Sequence, residues 1–92
     1  MYLEIVSPEA TLFAGDVTSV TVPGINGEFQ MLQNHAPIVS LLQEGKVLIQ
    51  GDLNIDEAFL EKFSKGANGE TVLKISSGTI EMKDNKVIVL AD

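Results

Sequence analysis

Few side chains in this sequence could do chemistry. His35 is the one histidine, and cysteine is absent. A zinc or iron centre would have to be built chiefly from carboxylates, and no acidic residues recur at a ligand spacing. The lack of thiols excludes disulfides, thiolate metal sites and cysteine nucleophiles. Composition leaves a Ser-His-Asp triad open, yet no G-x-S-x-G turn exists to present a serine. The run Asp52-Leu53-Asn54-Ile55-Asp56 imitates the first half of a calcium loop. It carries Glu57 where the sixth position demands glycine, and Phe63 where the twelfth demands a bidentate glutamate. The glycines form neither a phosphate-binding loop nor a dinucleotide fingerprint. Glu9 and Asp16, like Asp56 and Glu57, read most simply as solvated surface. With no Trp and a single Tyr, aromatic platforms for sugar rings are missing as well. The expectation is a chain that is not an enzyme, with no catalytic residues, cofactor or metal.

Composition narrows the partners. The 92 residues allow one domain and a modest core. Thirteen acidic residues face six basic ones, all lysine, for a net charge of −7. Such a chain suits neither nucleic-acid phosphates nor anionic membrane surfaces. No apolar run approaches the roughly 18–20 residues of a membrane span, and the N-terminus lacks the features of a signal peptide. The sequence therefore reads as a soluble cytoplasmic chain that is able to join a membrane complex.

The elements that must position any site are strands. Val, Ile and Thr are abundant, and turn residues punctuate the chain every eight to twelve positions, which predicts an all-β sandwich. Alternation marks strands at Leu3/Ile5, Val20/Val22, Phe29/Met31, Val47/Ile49, Leu73/Ile75 and Ile80/Met82. Val17 falls out of phase with Val20, predicting a bulge or twist near Thr18. Lys86 to Ala91 is apolar on both faces after its first residue, predicting a central strand. Reversals are expected at Pro23-Gly24 with Asn26-Gly27, at Asn68-Gly69 and at Asp84-Asn85. From Asn54 to Gly66 the rhythm changes. Ile55, Phe59 and Phe63 recur every four residues, Asn54 with Glu57 suggests a capping box, and Gly66 suits a helix end. Residues 55–65 are thus predicted to form a short amphipathic helix inserted into a two-sheet antiparallel sandwich.

One segment is more distinctive: Val22-Pro23-Gly24-Ile25-Asn26-Gly27-Glu28-Phe29-Gln30-Met31-Leu32-Gln33-Asn34-His35-Ala36-Pro37. It resembles the signature of the β-sandwich domain of F-type ATP synthase epsilon subunits. The opening, Leu3 to Glu9 with Leu12-Phe13-Ala14-Gly15, resembles the same family, as does the ending from Gly78 through Asp84-Asn85 to Asp92. Three ordered blocks spanning nearly the whole chain make the resemblance specific. It departs from the family in two places. The stretch Asp52 to Gly66 is longer and more helical than the usual strand connection. The chain also stops at Ala91-Asp92, where many members continue into a two-helix domain, so either a naturally short form or a truncated chain is expected, with Met1 favouring the former.

The resemblance implies a non-catalytic rotor subunit of the central stalk. It would couple the gamma subunit to the membrane c-ring during proton- or sodium-driven ATP synthesis, at the cytoplasmic face of the bacterial inner membrane. By the same resemblance, Gly27, Glu28, Asn34 and His35 lie at one end of the sandwich and face the c-ring, while Ser7 and Ser40 face gamma. The residues themselves also allow plainer roles. His35 suits an imidazole bonded within its own loop, and Glu28 suits a solvated turn carboxylate. A free-standing ligand-binding sandwich is the rival reading, disfavoured by the scarcity of aromatics and of convergent polar groups.

Overall fold

The computed structural model describes residues 1–92, and strands dominate it. They are β1 (Tyr2–Val6), β2 (Thr11–Asp16), β3 (Ser19–Gly24), β4 (Gly27–Met31) and β5 (Ile38–Leu42), followed by β6 (Gly45–Gln50), β7 (Phe63–Lys65), β8 (Thr71–Ile75), β9 (Gly78–Lys83) and β10 (Lys86–Ala91). One hydrogen-bonded path runs β2-β1-β10-β9-β5-β3-β6-β8-β7, with β4 on the other side of β3. The β5–β3 link rests on the single pair Gly24 opposite Leu42. The ladder thus divides there into two five-stranded sheets, β2-β1-β10-β9-β5 (sheet 1) and β4-β3-β6-β8-β7 (sheet 2). They face each other as the predicted sandwich, and all pairs are antiparallel except β1 with β10.

Alternating residues from both sheets fill the space between them. Leu3, Ile5, Val20, Val22, Met31, Val47, Ile49, Ile80, Val87 and Val89 are fully buried in one cluster. Each such side chain contributes about 1.5–3 kcal/mol of transfer free energy, so this cluster is the main source of stability. The strand β10 lies between β1 and β9, as its sequence predicts, though its outward residues Ile88 and Leu90 are not fully covered.

Two local expectations are corrected. The register shift lies in the β1–β2 pair, where Ile5 faces Phe13 but Val6 faces Thr11. Leu12 is the extra residue, which lets consecutive Leu12 and Phe13 both turn inward. At Val17-Thr18 the chain instead turns a corner between the sheets, held by Val17 N–H to Met1 O (2.8 Å) and Thr18 N–H to Gln50 O (2.7 Å).

The helix expected over 55–65 shrinks to a 3₁₀ helix at Glu57–Lys62. Its cap is Asp56, whose carboxylate accepts from Ala58 N–H at 2.9 Å, rather than Asn54. Phe63 leaves the helix to pair with Leu73 across β7–β8. An isolated helix this short is marginal, so the strand pairing prevails and satisfies the backbone through Lys65. Gly66 opens the β7–β8 turn rather than ending a helix, with Gly66 N–H bonded to Glu70 O at 2.8 Å. The four-residue apolar spacing still serves burial, because Ile55, Phe59 and Phe63 all rest against the core.

Candidate functional site

The predicted site residues divide between the two ends of the sandwich. At one end is the β3–β4 reversal. Gly24 faces Gly27 across a two-residue turn of Ile25 and Asn26, and Glu28 faces Pro23. Glycine is required at both ends of this turn for different reasons. A side chain on Gly24 would run into Gly27 O and the Phe29 ring at 2.7 Å, while Gly27 holds φ at +124° with open space around it. Gly27 and Glu28 are both exposed, and no side-chain hydrogen bond ties Glu28 to the sandwich. The pairs Gly24 with Leu42, Leu42 with Gly78, and Gly78 with Ala91 run across this end. We call it the open end.

Asn34 and His35 are elsewhere. Because β4 runs antiparallel to β3, Met31 faces Val20, and the chain enters the Asn34-His35 turn at the opposite end of the strands. Gly27 and Glu28 open the five-residue strand β4, and Asn34 and His35 follow its far end, which lies roughly 14 Å from Gly27 at strand rise. The expectation that Gly27, Glu28, Asn34 and His35 share one end is therefore overturned by the register. Asn34 adopts a φ of 59°, and its N–H donates to Asn85 Oδ1 at 2.8 Å, joining it to the β9–β10 turn. Asp84 and Asn85 take φ values of 52° and 61°, as their hairpin signal predicts. Asn85 Nδ2 then donates to Gln33 Oε1 (3.3 Å), while Gln33 Nε2 donates to Val17 O (3.1 Å). His35 N–H donates to Leu32 O at 3.2 Å, and its ring Nδ1 lies 2.7 Å from Ala36 O, the intra-loop role its sequence allows. This is the tied end.

The gamma-facing candidates also separate. Ser7 sits at the open end, where its hydroxyl closes the β1–β2 turn by donating to Ala10 O (3.2 Å) and accepting from Ala10 N–H (3.3 Å). Ser40 is mid-strand in β5, opposite buried Ile80, and bonds only to its neighbour Leu41 O at 3.1 Å. Near Ser7, the Asp92 carboxylate accepts from Ser77 N–H at 2.9 Å. That backbone bond, helped by the Ser77 side chain, holds the Asp92 carboxyl below its ordinary value.

Sequence reasoning missed a further surface. On the outer face of sheet 1, Val39 is 77% exposed, Leu41 58% and Leu90 51%, and Ile25 beside them is 54% exposed. Register aligns Leu41, Thr79 and Leu90 in one row, with Val39, Glu81 and Ile88 in the next. The signal lay in Ile38-Val39-Ser40-Leu41-Leu42, which is apolar on both faces where a solvated strand would alternate.

No three His, Cys, Asp or Glu side chains converge, and no buried side-chain polar atom lacks a partner. No helix is long and apolar enough to cross a membrane.

Known proteins resemble this chain over its whole length. The profile of the ATP synthase delta/epsilon chain β-sandwich domain matches residues 1–92. The ATP synthase epsilon chain of Chlorobaculum tepidum is 34% identical over 90 residues, covering 98% of this chain and 86% of that protein. That of Campylobacter fetus is 38% identical over all 92 residues, which span 60% of its length. Two solved structures share the fold at a TM-score of 0.73. One is from the central stalk and c-ring of the Tetrahymena thermophila mitochondrial ATP synthase (13% identity, covering 99% of this chain and 62% of that one). The other is from the Euglena gracilis mitochondrial enzyme (18% identity, covering 97% and 48%). Fold, signature segment and full-length match agree that the chain belongs to the ATP synthase delta/epsilon family, whose β-sandwich domain its 92 residues form.

Proposed function

We propose that this chain is a non-catalytic rotor subunit that couples the gamma subunit to the c-ring at the cytoplasmic face of the membrane. The observation that carries the proposal is the exposed apolar row of sheet 1, Val39, Leu41 and Leu90 with Ile25 beside it. Monomers this small rarely leave such a face bare, and a protein partner covering it removes the cost. Gamma is that partner in this reading, and Ser40 lies on the strand that presents the row. The open-end tip, Gly27 and Glu28, meets the c-ring loops. Asn34 and His35 then lie away from the ring and act mainly by holding the fold.

Transmission of torque asks for stiffness and two grips. The close-packed core between the sheets supplies the first, and the apolar face and the open-end tip supply the second. Membrane association follows through the complex rather than through lipid contact.

The test is reconstitution with gamma and the c-ring. Leu41→Glu places a charge in the centre of the apolar row while leaving the buried face of β5 intact. The variant is expected to keep its fold by circular dichroism and to lose co-purification with gamma. Retained gamma binding would overturn the assignment of this face.

A further inference from the structure

A second surface, on the outer face of sheet 2, carries an arrangement that the rotor reading does not use. Lys46 of β6 lies directly opposite Lys74 of β8. Lys62, the last residue of the 3₁₀ helix, immediately precedes Phe63, which faces Leu73, and this brings it to the same cleft as Lys74. All three side chains are exposed. Lys62 and Lys74 line one cleft of about 380 Å³, and Lys74 and Lys46 line another of about 240 Å³. Half of the six lysines in a chain of net charge −7 are thus gathered in one line.

Like charges facing each other across strands destabilise a sheet, and thirteen acidic residues were available to alternate with them. Lysines do protect exposed sheet edges, and β8 past Leu73 has no partner on its β7 side, so edge protection could account for Lys74; Lys46, on the interior strand β6, has no such reason. Lys65, by contrast, is engaged with Thr71 Oγ1 at 3.3 Å and is not part of the row.

We infer that Lys46, Lys74 and Lys62 form a docking strip for an acidic helical segment of a partner protein. Adjacent strands lie about 4.8 Å apart, which sets Lys46 one strand spacing from Lys74, and Lys62 extends the strip beyond them. Carboxylates three and four residues apart on a helix are about 5–6 Å apart and meet such a row in step. The flanks point to a narrow ligand. Glu44 borders the cleft beside Lys46, and Glu9 with Asp92 borders the cleft beside Lys62. A flat anionic membrane would press against these acids, whereas a single helix fits between them.

The probe is a synthetic helical peptide with glutamates at i, i+4 and i+7, compared with a peptide of equal composition and scrambled spacing. Binding is followed by amide chemical shifts of the isotope-labelled chain. The spaced peptide should move resonances of Gly45 to Val47 and Leu73 to Ile75, and lose its grip at about 0.5 M salt. Replacing the central lysine by Lys74→Gln should weaken binding about fivefold, the scale of an exposed charge pair, while Lys83→Gln leaves it unchanged. In the free chain Lys74→Gln should also raise the melting midpoint at low salt, with the gain vanishing at high salt. The inference is overturned by equal binding of the scrambled peptide or by no binding of either. It also fails if shifts centre on Asp84 and Asn85, if anionic phosphatidylglycerol vesicles are preferred to the peptide, or if Lys74→Gln leaves the low-salt midpoint unmoved.

Discussion

The two ends of the sandwich are built from similar residues and use them differently. At the tied end, the polar groups of Gln33, Asn34, His35 and Asn85 bond to one another or to nearby backbone, linking the β2–β3 corner, the turn after β4 and the β9–β10 hairpin. At the open end, the tip at Gly27 and Glu28 stands clear, and the nearest side-chain bond, Gln43 Nε2 to Gly24 O at 3.0 Å, steadies its base. A polar side chain already bonded within the fold must break that bond to meet a partner, whereas a free one need not. A turn rich in Asn and His is therefore no better a guide to a binding surface than a single unbonded glutamate.

Breaking the tied end should have the largest effect. Asn85→Leu removes two side-chain bonds and puts a residue ill suited to φ of 61° in the hairpin. It should cost about 2–4 kcal/mol, read as a lower midpoint in urea. Asn85→Gly keeps the backbone comfortable and loses only the bonds, so it should cost about 1–2 kcal/mol. If the two variants melt alike, the bonds rather than the conformation carry the hairpin.

At the open end, backbone conformation matters more than side-chain bonding. Gly27→Val meets no steric neighbour, yet it must hold φ near +124°. The expected loss is about 1–3 kcal/mol, with the core otherwise unchanged by chemical shift. Gly24→Val should be worse, because its side chain would enter space held by Phe29 and the backbone of Gly27.

These contrasts show how much was legible in the sequence. Strand alternation and the Asp84-Asn85 signal are local, so period and turn chemistry suffice to find them. The separation of Glu28 from His35 depends on strand direction. Seven residues apart in sequence, they look adjacent until Glu28 is known to begin β4 and His35 to follow its far end. The helix expected over 55–65 failed for a related reason. Its apolar spacing marked which residues would be buried, but pairing of Phe63 with Leu73 is a long-range event that local propensity does not encode. The exposed face of sheet 1 was visible only as missing alternation in β5. The bonds between Gln33 and Asn85 join residues too distant in sequence for spacing to reveal.

A smaller effect is expected from pH at the open end. The Asp92 carboxyl is held below its ordinary value of 3.8 by Ser77 N–H, so its folded value is depressed relative to the unfolded chain. A depressed carboxyl contributes stability above its unfolded value and loses it as pH falls through the folded one. The Ser77 amide resonance should therefore shift only in strongly acid solution, together with the Asp92 side chain. An Asp92 titration at the ordinary carboxylate value would show that the Ser77 contact does not persist in solution.

The smallest effect on folding should come with the clearest effect on assembly, at Glu28. Its carboxylate is exposed at a tip that already points away from the core, so Glu28→Lys should change stability by no more than about 0.5 kcal/mol. Against a ring whose loops carry a basic group, the same change turns attraction into repulsion. An exposed pair is worth about 0–1 kcal/mol, so association with the c-ring should weaken only partly, and the difference should fade as salt rises. His35→Ala at the tied end supplies the contrast: it removes an intra-loop contact and should leave low-salt ring association unchanged. If His35→Ala weakens ring binding while Glu28→Lys does not, the tied end rather than the open end faces the ring, and the proposed orientation of the sandwich must be reversed.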